Sequence, residues 1–135
     1  MIRRTKVDPE VQEDLSRVTG FDAELVKTLA TVGRPVNIPQ GWSIIMETTP
    51  ADSAYIVLDG SVEIRKGGEV LATLGPGDVF GEIALVNHRL RSASVIASTA
   101  IRALRLEDEA VQTLIEQDPS FADSLRRTAD SRLES

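Results

Sequence analysis

Between residues 34 and 106 the chain is cut into short β-favouring runs by turn residues, and that rhythm restricts the fold more than any other feature. The runs are Val36–Ile38, Ser43–Met46, Ala54–Leu58, Ser61–Ile64, Val70–Leu74 and Ser94–Ala97. The breaks are Pro39-Gln40-Gly41, Asp59-Gly60, Gly67-Gly68, Gly75-Pro76-Gly77-Asp78 and Gly81. About seven or eight short strands spaced in this way predict an antiparallel β-roll or jelly roll, a double-stranded β-helix with a pocket between its sheets. Asp59-Gly60 between two alternating runs predicts a hairpin.

Both ends read as helix, which makes the fold mainly β with flanking N-terminal and C-terminal α-helices. Asp8 as N-cap with Pro9 at the first helical position predicts one start, and Val11, Leu15 and Val18 share a face behind it. A second start falls at Asp22, with Phe21 and Val26 placed as a hydrophobic staple. Leu25, Leu29 and Val32 continue the apolar side, and Gly33 supplies the stop. Near the other end, Glu107–Gln117 carries Ala110, Val111, Leu114 and Ile115 on one side. Asp118-Pro119 then restarts a helix whose stripe is Phe121, Leu125, Ala129 and Leu133. The expectation is one domain over residues 1–135, with helices over 1–33, the roll over 34–106 and helices again over 107–135. Trp42 and Tyr55 are expected as core or rim aromatics.

Composition removes several kinds of chemistry. The chain has no cysteine and one histidine, His88, so thiolate sites, a cysteine nucleophile and multi-histidine metal cages are excluded. No Ser/His/Asp arrangement is in view, because His88 lacks an orienting partner. With 15 basic against 21 acidic residues the net charge is −6, unsuited to free-standing duplex DNA binding. No apolar run approaches the roughly 20 residues of a membrane span, and no secretory signal follows Met1-Ile2-Arg3-Arg4. The expectation is a cytoplasmic, non-enzymatic protein without metal.

The chemistry concentrates in Phe80-Gly81-Glu82-Ile83-Ala84-Leu85 and Arg91-Ser92-Ala93-Ser94-Val95. A glycine entering a short helical turn presents free backbone N–H groups to an anion. The adjoining acid accepts hydrogen bonds from sugar hydroxyls, and the later arginine returns to neutralise a phosphate. Together these suit a small nucleotide with one buried phosphodiester.

The stretch from Gly75 to Leu85, with Arg91 to Val95, resembles the phosphate-binding cassette of cyclic-nucleotide-binding domains. Those domains occur in catabolite-activator-type regulators and in cyclic-nucleotide-dependent kinases and channels. The similarity runs upstream through Asp52–Ile64 and downstream through Leu114–Pro119. It implies a cassette over residues 80–95, with Gly81, Glu82, Ile83, Ala84, Leu85, Arg91, Ser92 and Ser94 as ligand-binding residues. The N–H groups of about Ile83 to Leu85 would face the phosphate, and Glu82 would take the ribose 2′-hydroxyl. Arg91 would pair with the cyclic phosphate through its planar fork, with Ser92 and Ser94 as hydroxyl donors beside it. At about 4 Å and an effective dielectric near 20, that pair gains roughly 4 kcal/mol before desolvation. Leu90 departs from the family, which frequently has proline there.

The implied ligand is cyclic AMP, with cyclic GMP as the alternative base. The expected output is movement of the C-terminal helix (Asp118 to Glu134), which lids the base or pairs with a twin chain or a partner protein. Two other readings share the fold: an adaptor that has lost its ligand, and the sensor part of a catabolite-activator-type transcription regulator. No helix-turn-helix pattern follows the last helix in these residues, so direct DNA binding is not expected of them.

Overall fold

The computed structural model describes residues 8–46, 52–81 and 93–125. Helix α1 (Pro9–Thr19) starts as its sequence dictates: the Asp8 carboxylate accepts from the Glu10 and Val11 amides at 2.9 and 3.4 Å. Helix α2 (Ala23–Val32) repeats the device, with Asp22 Oδ1 accepting from the Leu25 amide at 2.8 Å. Gly33 ends α2 by donating its N–H to the Leu29 carbonyl.

Among the described residues the β region forms eight strands. They are β1 (Arg34–Ile38), β2 (Ser43–Ile45), β3 (Ser53–Asp59), β4 (Val62–Lys66), β5 (Glu69–Leu74), β6 (Val79–Phe80), β7 (Ser94–Ala97) and β8 (Ile101–Glu107). One antiparallel sheet has the order β1-β8-β3-β6, and the other β2-β7-β4-β5. Helix α3 (Asp108–Gln117) follows, and a last helix, α4, runs over residues 119–125. Asp118 caps α4 by accepting from the Ser120 and Phe121 amides at 3.0 and 3.1 Å. The expected antiparallel roll with helices at both ends is therefore the observed fold.

Alternation sorts the residues of the first sheet into two cores. Ala54, Ile56, Leu58, Val79, Leu104 and Leu106 face α1, α2, α3 and α4, where Leu15, Leu29, Val111 and Phe121 meet them. Val57, Phe80, Ile101 and Ala103 face the opposite way, against Ile45, Val62, Ile64, Val95 and Ala97 of the second sheet. Strand β3 is thus covered on both faces, and its sequence reads as a continuous apolar run. The layers are helices, sheet, sheet.

Three expectations need correction. Asp59-Gly60 is not a hairpin, because β3 pairs with β6 and β8 while β4 pairs with β5 and β7. The chain crosses there from one sheet to the other. Gly60 has φ +89°, and a Cβ would lie 2.5 Å from the Ala100 carbonyl oxygen, since β7 crosses to β8 at the same corner. Ser61 and Ser98 hydroxyls join the two crossings at 2.9 Å. The tight hairpin is Gly67-Gly68, between β4 and β5. Secondly, Trp42 is 63% exposed: it leads into the edge strand β2 and uses its backbone, not its ring, to meet Ala97. Thirdly, Val32 at the end of α2 is 44% exposed.

The apolar stripe of the last helix is partly consumed within the chain. Phe121 and Leu125 are buried in the helix-side core, and Phe121 meets Phe21 edge-on at 6.3 Å and 64°. Ala129 and Leu133 lie outside the described residues.

Candidate functional site

The Gly75–Asp78 turn delivers the chain to the cassette, and backbone bonds stitch it to β3. Asp78 Oδ2 accepts from the Gly75 amide at 2.9 Å, and the Asp78 amide donates to the Gly75 carbonyl at 3.0 Å. Gly77 N–H donates to the Val57 carbonyl at 2.8 Å, and Val57 N–H to the Asp78 carbonyl at 2.9 Å. On its other side the turn touches α1. A Cβ on Gly77, whose φ is +90°, would lie 2.1 Å from the Val18 carbonyl oxygen.

Strand β6 is only two residues long and both are buried, Val79 toward the helices and Phe80 between the sheets. Phe80 stacks on Tyr55, its partner across the ladder, with ring centroids 4.9 Å apart and planes 11° apart. Gly81 follows at φ +86°, where the chain leaves the sheet. The other stem of the segment is Ser94 on β7, opposite Arg65 of β4. Because β6 and β7 belong to different sheets, residues 82–92 connect one sheet to the other. Phe80 and Val95, at the two stems, share the core between the sheets, with Tyr55, Ala72, Leu74 and Ala93 packed against it.

The structure therefore places Gly81 and Ser94 at the two stems. Glu82, Ile83, Ala84, Leu85, Arg91 and Ser92 lie outside the described residues, as do His88 and Leu90. Sequence reasoning missed a polar group beside the first stem. A row of directly opposed residues crosses the first sheet: Phe80, Tyr55, Arg105 and Arg34. Directly opposed side chains share a face, so Arg105 lies on the side of Tyr55 and Phe80. Arg105 Nη1 donates to Glu107 Oε1 at 2.5 Å, and its Nη2 lies 3.6 Å from Asp52 Oδ2. Burial draws its pKa down, but the Tyr55 hydroxyl, Glu107 and Asp52 outweigh that and leave it above the ordinary value. Arg105 therefore stays charged. Arg65, beside the second stem, is held by Glu63, with Nε 3.0 Å from Oε1.

An open depression of about 380 Å³, lined by residues including Asn37, Asp59, Ala100 and Arg102, lies at the far end of the first sheet. Its Arg102 is committed to Asp14 of α1 in an ion pair. It is not the cassette. Among the described residues no group of three or more His, Asp or Glu is placed to hold a metal ion, and no helix is long and apolar enough to cross a membrane.

With this geometry in hand, a family model described as the cyclic nucleotide-binding domain matches residues 35–118. The CRP-like cAMP-activated global transcriptional regulator of Mycobacterium tuberculosis is 30% identical over 119 residues, covering 84% of this chain and 53% of that protein. Two solved structures are similar. The cAMP-bound PfPKA-R superposes with a TM-score of 0.83 at 25% identity, over 93% of this chain and 44% of the other. The regulatory domain of Toxoplasma gondii PKA, co-crystallised with cAMP, gives 0.77 at 27% identity, over 90% and 49%. The chain spans about half the length of these relatives.

Proposed function

The chain belongs to the cyclic nucleotide-binding domain family, and from that premise we propose that it senses cyclic AMP and signals through its last helix. The observation that carries this reading is the pair of stems. Gly81 turns out of one sheet at φ +86° and Ser94 re-enters the other, and the sequence between these stems carries Glu82, Arg91 and Ser92. Backbone N–H groups after Gly81 cradle the phosphate, Arg91 neutralises it, and Glu82 holds the ribose. Similarity to proteins that bind cAMP favours cyclic AMP over cyclic GMP.

In this reading residues 1–135 work as one non-catalytic regulatory domain in the cytoplasm, with the roll over 34–106 between helical segments 1–33 and 107–135. They make no direct DNA contact. The output runs through the final helix to a twin chain or a partner protein, by way of residues beyond Leu125, because Phe121 and Leu125 are occupied by the domain's own core. Amide hydrogen exchange over residues 118–134 tests this directly. Protection there is expected to change by at least about tenfold on saturation with cyclic AMP. Identical protection in both states would remove the helix as the output.

A further inference from the structure

Glu107 stands at the N-cap position of α3, yet its side chain makes no capping bond to the helix. Its carboxylate accepts from Arg105 instead. Arg105 stands directly opposite Tyr55 in the β3–β8 ladder and on the same face. The Tyr55 hydroxyl accepts from the Ser53 hydroxyl at 3.5 Å, and the Tyr55 ring lies flat on Phe80, the last residue before Gly81. Asp52, the other carboxylate on Arg105, accepts the Asp108 amide at its backbone carbonyl, at 3.1 Å, in the first residue of α3. The ring stack, the β3–β8 pairing and the Arg105 ion pairs thus link the first stem to the start of α3.

We propose that Tyr55 and Arg105 are positioning residues that join the phosphate cassette to the N-terminus of α3. Arg105 holds the hydroxyl end of the Tyr55 ring, the ring sets the tilt of Phe80, and Phe80 sets the direction in which the chain departs at Gly81. At its other end Arg105 decides where the Glu107 carboxylate is spent. While the carboxylate is bound to Arg105, α3 lacks a side-chain cap; once released, it is free to turn onto the α3 amides, as acidic N-caps do. A displacement of Phe80 therefore alters the first turn of α3 through two side chains, Tyr55 and Arg105. The coupling rests on the sensor reading for its ligand, while the contacts themselves do not.

The test uses the full chain with Tyr55→Phe, which keeps the stacked ring and removes only the hydroxyl, and Arg105→Gln. Arg105→Lys serves as the conservative variant. Amide exchange over residues 79–81 and 108–111 is measured without nucleotide, and cyclic AMP affinity by calorimetry. Tyr55→Phe and Arg105→Gln are expected to change exchange about tenfold at both places while the Val57 amide keeps its wild-type rate. Affinity is expected to fall about five- to tenfold in both, with Arg105→Lys recovering part of it. Wild-type exchange at either place in both variants overturns the proposal. If the wild-type chain takes up no cyclic nucleotide, the sensor reading falls, and the exchange measured without nucleotide decides the coupling by itself.

Discussion

Arg91→Ala is expected to weaken cyclic AMP binding by about two to three orders of magnitude while leaving the melting transition unchanged. Removing one partner of a desolvated charge pair costs about 3–5 kcal/mol, and each 1.4 kcal/mol is about tenfold in affinity. Both cations described beside the stems, Arg65 and Arg105, are engaged by carboxylates, and the proposed site assigns phosphate neutralisation to Arg91. Arg91→Lys keeps the charge but loses the planar fork, and an intermediate affinity is expected. Calorimetric titration of the three proteins gives the ranking; equal affinity for wild type and Arg91→Ala would remove the arginine from the site.

The second large effect is on stability. Gly77→Ala is expected to destabilise the fold by about 3 kcal/mol or more, because it combines a left-handed backbone with a backbone collision. Its φ is +90°, and the new Cβ would lie 2.1 Å from the Val18 carbonyl oxygen. Relief requires α1 to lift off the turn that feeds β6. Gly20→Ala is the control: its φ is +73° but nothing lies within 4 Å of an added Cβ, so only the conformational cost of about 1 kcal/mol applies. For a domain of this size the first corresponds to a fall of roughly 10 °C in Tm and the second to a few degrees. Thermal denaturation of both variants checks the ordering. Equal falls would mean that the Val18 contact carries no weight.

Much of the fold was legible because local chemistry and burial agree. Asp8-Pro9, Asp22 and Asp118-Pro119 each start a helix by the mechanism their residue types predict. The unread strands have definite causes. β6 has only two residues, too few to display a period. β8 is broken by Arg102 and Arg105, which look wrong for a strand buried on both faces. Each is stabilised by partners that local reading cannot see: Asp14 on α1 for Arg102, and Tyr55, Glu107 and Asp52 for Arg105. Asp59-Gly60 announces a tight turn correctly but says nothing about which sheet receives the next strand. That choice follows from both edges of β3 being paired, to β6 and β8, a property of the whole roll. At the site, the glycine framework was visible, whereas the Tyr55–Arg105 contact exists only once β3 and β8 are paired in register.

In the proposed function this chain binds a cyclic nucleotide at the segment between Gly81 and Ser94. Calorimetric titration of the wild-type chain with cyclic AMP and cyclic GMP tests it most directly. Saturable binding of one cyclic AMP per chain, with cyclic GMP weaker, is the predicted result; a folded chain that gives no heat with either nucleotide at millimolar concentration would contradict it.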